Sequence, residues 1–358
     1  MDIRAALGGH RYDCKDTTLT DDPKKSLPSI LVTGANGHLG TQLVRQLAAT
    51  RPVIAAVRSA TAAAHLTEQL AATQDAPDAR APIGNHPVRV EVIAYNDVPA
   101  LTELLTNCVG IVHLVGIIKE SSTSRYFDAH EATTQALLDA LRQVGENQAG
   151  NAPRAPVHVC YPSIVGARPD ADNACLASKG RAEQMLLDSE HPTTVLQLPM
   201  VLGEGDYAAM AINQQARRRL NFVFAKLARD QPIYAGDVLQ AITKTIPATD
   251  TQPGPDTTPQ PPSSSRLVLA GPEAVTKAQL IKRAAAIRGR NSTVVGLPLF
   301  LARAFTHIIA RLSDNPPITP AMLEILHHDD DYDTAAATQQ LGITLTSLDD
   351  TLAKTAQN

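Results

Sequence analysis

Tryptophan is absent from these 358 residues, and tyrosine and phenylalanine together supply only 3% of them. So few aromatic rings leave no stacking platform for single-stranded nucleic acid, and a net charge of −4 excludes a general nucleic-acid binder. Cysteine is scarce too. Cys14, Cys108, Cys160 and Cys175 are scattered, with no C-x-x-C pair. That excludes a disulfide framework and a thiolate zinc site, and implies reduced thiols in a cytoplasmic compartment. No run reaches the ~18 uncharged apolar residues of a membrane span. Residues 1–28 lack the apolar core of a signal peptide, and their acidity argues against a transit peptide. They are expected to form a poorly ordered extension.

What the chain does have is Thr33-Gly34-Ala35-Asn36-Gly37-His38-Leu39-Gly40. The apolar run Ile30-Leu31-Val32 precedes it, and Leu39, Leu43, Val44 and Leu47 continue at helical spacing. The pattern predicts a strand, a glycine-rich turn and a helix start. A helix N-terminus presents unpaired N–H groups and a positive dipole end, which attract phosphate. Gly34 permits the tight turn, Gly37 lets a diphosphate approach, and Gly40 lets helix and strand pack closely. A dinucleotide is the expected ligand.

Strand-like and helical patterns alternate from residue 29 to about 200. Strands are expected at Val53–Val57, Val88–Ala94, Ile111–Val115, Val157–Cys160 and Thr194–Leu198, and helices around Leu101–Leu105, Ala132–Val144 and Ala177–Leu187. Such alternation implies an α/β fold, a doubly wound parallel sheet of Rossmann type with a smaller, mainly helical C-terminal lobe. The boundaries read as 29–247 for the Rossmann domain, with 199–235 partly contributing to the small lobe. A Pro/Thr/Ser-rich excursion covers 248–265, and 266–358 forms the C-terminal lobe with a returning strand at Arg266–Ala270. Within that lobe helices are expected at Lys277–Arg288, Pro298–Leu312, Pro320–His327 and Leu348–Thr355. The stretch Gly145–Pro156 reads as a polar loop.

The second strand ends in Arg58, with no acid nearby. A carboxylate at that point bonds the 2′-hydroxyl of NAD, and a guanidinium suits the 2′-phosphate of NADP, so NADP(H) is favoured over NAD(H). Asp97 reads equally as an adenine contact and as a helix cap before Pro99. Leu114, Val115 and Gly116, closing strand four, would pass close to the cofactor ribose, and His113 reads as a packed histidine.

With Thr33 in front, the glycine turn resembles the TGxxGxxG signature of extended and atypical short-chain dehydrogenases/reductases. The segments Val112–Ser121, Val201–Tyr207, Pro232–Val238, Leu269–Glu273 and Leu341–Leu348 resemble those of the group related to the Rossmann-fold accessory subunit of respiratory complex I, and Ser163–Gly166 is similar to NmrA-like proteins. The resemblance implies a general acid–base Tyr-x-x-x-Lys pair on one helix face. Here Lys179 is present, but Cys175 stands at the Tyr position. Lys179 could still bond the ribose. Ser163 could polarise a substrate oxygen, and Tyr161 is a remote substitute for the missing phenol.

Two functions therefore stand side by side. One is an NADP(H)-binding protein with a structural, assembly or regulatory role. The other is an NADPH-dependent oxidoreductase, epimerase or dehydratase using Lys179, Ser163 and an unconventional acid. The partners implied are the nucleotide, a small-molecule substrate in the second case, and a peripheral membrane or protein-complex partner in the first. Nucleic acid is excluded. No metal site is expected: His327-His328-Asp329-Asp330-Asp331 reads as a solvated turn, and Arg217-Arg218-Arg219 as a solvated helix face.

Overall fold

The computed structural model describes residues 27–72, 86–147, 156–247, 264–298 and 329–356. Ser29–Thr33 (β1) and His38–Ala48 (α1) begin the alternation. It continues through Val53–Val57 (β2), Ala60–Ala72 (α2), Val88–Val92 (β3), Val98–Leu105 (α3), Cys108–His113 (β4) and Thr133–Asn147 (α4). His158–Ile164 (β5), Ala174–Leu187 (α5) and Thr193–Leu198 (β6) complete it. Shorter elements follow: Val201–Leu202 (β7), Tyr207–Ala216 (α6), Leu220–Phe224 (β8), Arg229–Asp230 (β9), Ile233–Tyr234 (β10) and Ala235–Thr245 (α7). The last are Ser265–Val268 (β11), Val275–Thr276 (β12), Lys277–Ile287 (α8), Thr293–Leu297 (β13), Ala335–Leu341 (α9) and Leu348–Ala356 (α10).

Seven parallel strands form one sheet in the order β11-β6-β5-β4-β1-β2-β3. Every residue of β2 and β6 is buried, as befits strands covered by helices on both faces. Leu43, Val44 and Leu47 of α1 pack with Val238 and Ile242 of α7 over one face, and Leu341 and Ile343 return to join them. Leu101 and Leu105 of α3, Leu137 and Leu141 of α4, and Leu186 of α5 cover the other face. A third cluster joins Ile212, Leu280, Leu348 and Leu352 of α6, α8 and α10. The strand order reverses between β1 and β4, which is where a doubly wound sheet opens a crevice for a ligand.

The structure departs from the sequence reading at several edges. Strand four is Cys108–His113, not Ile111–Val115. After Leu114 N–H donates to Thr33 O at 3.2 Å, the chain turns off the sheet, and Leu114 and Val115 wall the crevice instead. Strand five runs on to Ile164 because β6 still pairs with it there. Its pairing with β4 ends at Cys160, so the missing N–H of Pro162 costs no ladder bond on that side. Helix α4 continues to Asn147, into the expected polar loop. Arg217-Arg218-Arg219 is not a helix face: α6 ends at Ala216, Arg217 caps it, and the run leads into β8. Residues 1–26, most of the excursion (248–263) and the helices expected at 298–312 and 320–327 lie outside the described residues, apart from Leu297 and Pro298.

The closing segment is fastened by one buried carboxylate. Asp237, in the first turn of α7, accepts hydrogen bonds from Thr346 N at 2.7 Å and Thr346 Oγ1 at 2.8 Å. Asp237→Ala strands that N–H, and a urea titration is expected to show a loss of about 2 kcal/mol. Asp237→Asn, which keeps an acceptor oxygen, should recover most of it.

Candidate functional site

The crevice above the switch point has a volume of ≈ 390 Å³. Its walls come from the glycine turn (Gly34, Asn36, Gly37), from Arg58, Tyr95 and Asn96, and from the segment Leu114–Ile117. Thr123, Ser124, Asp128, Ala129 and Thr133 close the far end.

The turn has the form that a diphosphate needs. Gly34 sits at φ +70°, a conformation costly for any residue with a side chain. A Cβ on Gly40 would lie 2.6 Å from Gly34 O, so only glycine lets α1 rest against the turn. Gly37 is the N-cap of α1, with no side chain bonded to the cap and no acid in the first turn. The helix end therefore faces the crevice with its donors and dipole uncompensated, and the residues present fit an anion there.

The other turn residues have different duties. Thr33 is buried, and its hydroxyl lies 2.8 Å from His113 Nδ1, locking β1 to β4. His38 is exposed, with Nε2 2.9 Å from Gln42 Nε2, and Leu39 packs against the core. Asp97 caps α3 by accepting Ala100 N–H at 3.1 Å, which leaves its neighbour Asn96 on the crevice wall.

Arg58 is exposed at the C-terminal end of β2 and forms no salt bridge among the described residues. Beside it is Tyr95, which the sequence reading passed over for Asp97. The Tyr95 hydroxyl accepts Gly34 N–H at 3.0 Å and donates to Ala56 O at 3.1 Å, pinning the glycine turn to β2. Burial raises its pKa, opposed by the Gly34 hydrogen bond and by Arg58. Nothing in the sequence separates this tyrosine from a surface one, because its role depends on how β1, β2 and β3 lie side by side in the sheet.

Lys179, Cys175 and Ser163 are brought to the same side of the sheet's end, but behind the crevice wall rather than on it. Asn173 starts α5 by accepting the N–H groups of Cys175 at 3.0 Å and Leu176 at 3.3 Å. Lys179 is buried; its ammonium lies 4.4 Å from the centre of the Tyr161 ring and donates to Pro162 O at 3.4 Å. Burial lowers its pKa to about 8. A Cβ on Gly116 would meet Lys179 Nζ at 3.0 Å, so the glycine is the thin partition between this lysine and the crevice. Cys175 is fully buried, with its thiol donating to Ile117 O at 3.6 Å. Burial pushes its pKa up to about 11, against the pull of Lys179. Ser163 is buried on β5.

Tyr161 does not replace the missing phenol. Its ring is fully buried beneath Lys179 and stacks on His113 with centroids 5.8 Å apart, and burial drives its ionisation far above the usual tyrosine range. His113 is the packed histidine expected, held neutral by burial with its pKa down to about 3.

The residue with no signal in the sequence is His130, in a π-helical turn (Phe127–Ala132) that leads into α4. Its Nε2 lies 3.1 Å from both the N and the O of Ile117, and its ring stacks on Tyr126. The Tyr126 hydroxyl donates to Ile118 O at 3.2 Å. Ile117 and Ile118 are thus held from three sides, by His130, Tyr126 and Cys175. This wall of the crevice is thus fixed by packing and hydrogen bonds from behind it.

Residues 30–153 match the model of the NAD dependent epimerase/dehydratase family. The chain has a Rossmann-type α/β fold, which it shares with solved structures at 15–19% identity. MoeE5, solved in complex with UDP-glucose and NAD, superposes with a TM-score of 0.61 at 19% identity, over 92% of this chain and 97% of that one. UDP-glucuronic acid 4-epimerase from Bacillus cereus, with UDP-glucuronic acid and NAD, gives 0.62 at 15% identity, over 92% and 98%. WbmF of Bordetella bronchiseptica, in complex with NAD+, gives 0.59 at 16%, over 93% and 92%. No curated protein matches the sequence significantly.

Proposed function

We propose that this chain binds NADP(H) and holds it without ordinary short-chain reductase turnover, in a structural, assembly or regulatory role at a protein complex or a membrane periphery. The observation that carries this reading is Cys175. Where the resemblance puts a catalytic tyrosine, this chain has a thiol that is fully buried, bonded to Ile117 O, and protonated at neutral pH because burial raises its pKa to about 11. It has neither the reach nor the acidity for proton exchange with a substrate in the crevice. Lys179 keeps the usual place on α5 and would approach the nicotinamide ribose past Gly116. Gly34, Asn36, Gly37 and the start of α1 would hold the diphosphate, Leu114 and Val115 the adjoining ribose, and Arg58 the 2′-phosphate.

The structural neighbours named above were solved with NAD, so the preference for NADP(H) stands on Arg58 alone. Calorimetry is expected to show NADPH binding more tightly than NADH. Arg58→Ala should weaken NADPH by roughly 10–100-fold, the worth of a charged hydrogen bond, and leave NADH unchanged. Equal affinity for the two nucleotides in the wild type removes the 2′-phosphate assignment.

The competing reading is an oxidoreductase or epimerase acting through Lys179, whose pKa near 8 suits proton transfer. Two of those neighbours contain UDP-sugars, which makes UDP-glucose and UDP-glucuronic acid the first compounds to assay. Conversion of either by the wild type, abolished in Lys179→Ala, replaces the holding role with a catalytic one. Cys175→Tyr is expected to confer no activity, because the Ile117 backbone occupies the place where the phenol would go.

A further inference from the structure

The strands β8 and β13 form a parallel ribbon apart from the main sheet, in register from Thr293↔Leu220 to Leu297↔Phe224. Alternate residues point to opposite faces. On one face Val223 and Val294 are buried against Ile281 of α8, and Asn221 donates to Ser292 Oγ at 2.8 Å. The opposite face carries Leu220, Phe222 and Val295, which are 49%, 60% and 38% exposed, with Phe222 directly paired to Val295. Leu227, in the turn beyond β8, is 72% exposed. Parallel strands are normally covered on both sides, and a two-stranded sheet is marginal without cover.

The segments that carry the two strands have charge of one sign, and the carboxylates of Asp329 and Asp331, bonded to Arg229, lie beyond Leu227 at the far end of the ribbon. Arg217, Arg218 and Arg219 lead into β8, Lys226 follows it, and Arg290 precedes β13; all five are exposed. Arg290 donates to Arg217 O at 3.0 Å, which gathers the cations of the two strands at one end of the ribbon. Neither segment, 217–228 or 288–298, contains an Asp or a Glu. In a chain whose net charge is −4, this is a local concentration of positive charge beside exposed apolar side chains.

We propose that the open face of the β8–β13 ribbon docks on an anionic phospholipid surface. Leu220, Phe222, Leu227 and Val295 would enter the boundary of headgroups and acyl chains, while the arginines and Lys226 neutralise lipid phosphates. Such surfaces attract clustered Lys and Arg, and apolar side chains add to the binding. The inference rests on the peripheral role proposed above and names its partner.

Co-sedimentation with vesicles of phosphatidylcholine and 30% phosphatidylglycerol tests it, with pure phosphatidylcholine as the control. The wild type is expected to sediment with the anionic vesicles at low salt and to be released at high salt. Phe222→Asp, at an exposed position that should not impair folding, should weaken binding at least tenfold. Each Arg→Ala change among Arg217, Arg218 and Arg219 should cost about fivefold. NADPH calorimetry on the same preparations separates the two readings: unchanged nucleotide binding in Phe222→Asp shows that only the docking surface was touched. No sedimentation of the wild type, or sedimentation unaffected by Phe222→Asp, overturns the proposal. Self-association that Phe222→Asp abolishes, without vesicle binding, also overturns it and assigns the face to a second copy of the chain.

Discussion

Arg266→Met is expected to cost roughly 3 kcal/mol of stability at neutral pH, because it isolates a buried carboxylate. Glu183 on α5 has no exposed surface. Its carboxylate accepts Arg266 Nε at 2.9 Å and Gln197 Nε2 at 3.0 and 3.1 Å, and Gln197 Nε2 also donates to Ala167 O at 2.9 Å. These contacts join α5, β6, β11 and the loop after β5 at one point. Burial raises the Glu183 pKa, with its hydrogen bonds and Arg266 pulling it back. Arg266 itself is 38% exposed, so the direct ion-pair energy is partly screened. The larger part of the cost is the desolvated charge left behind. A second substitution tests this account. Glu183→Gln in the Arg266→Met background removes the charge and should recover most of the loss in urea titrations. The sign of the pH effect gives another check. A carboxyl whose folded pKa is raised favours the protonated state in the fold, and losing Arg266 raises it further. The gap between wild type and Arg266→Met should therefore narrow as the pH falls. If it widens, or if Glu183→Gln gives no recovery, the carboxylate is not the cause.

This network also shows where the sequence stopped being informative. Strand β2 was legible residue for residue, and α8 and α10 nearly so, because a continuous apolar run and helical spacing are local properties. The glycine turn was legible because its backbone requirements are met within eight residues. Contacts that depend on register between distant segments were not. Tyr95 reaches Gly34 across 61 residues, and Glu183 reaches Arg266 across 83. His130 acts through a π-helical turn that a 3.6-residue period does not reveal. The two-residue strands β7, β9, β10 and β12 were equally hidden, since two residues carry no periodicity. Cys175 was found by its position in a motif, but only packing places its thiol against Ile117 O.

Mild acid is expected to unfold the protein, with three buried histidines supplying most of the driving force. Burial lowers the pKa of His113 and His130 to about 3 and of His158 to about 4. Each has its own packing: His113 between Thr33 and Tyr161, His130 against Ile117, and His158 with Nε2 3.1 Å from Thr194 Oγ1. In the unfolded chain an imidazole titrates near 6.5. Below that pH the unfolded state binds protons that the folded state refuses. Stability is therefore fully present above about pH 6.5 and falls as the pH drops from there towards 4 and 3. Each histidine contributes a slope of up to ~1.4 kcal/mol per pH unit. Asp230 acts in the other direction. Burial raises its pKa to about 6, against the pull of Lys277, so below that pH the fold gains a proton there and recovers part of the loss. Glu183 opposes with the same sign. Burial lowers His191 as well, so the imidazoles outnumber the two carboxyls and the balance between pH 6 and 4.5 is a loss, up to ~1.4 kcal/mol per pH unit for each imidazole not offset. Urea midpoints at pH 7, 6 and 5 measure it. The decisive variant is His158→Gln, at the histidine farthest from the crevice residues in its contacts. It should flatten the slope by about one histidine's share, whatever it does to stability at pH 7. A slope that stays flat between pH 6.5 and 5 in the wild type, or unchanged in His158→Gln, would mean that these rings are protonated within the fold.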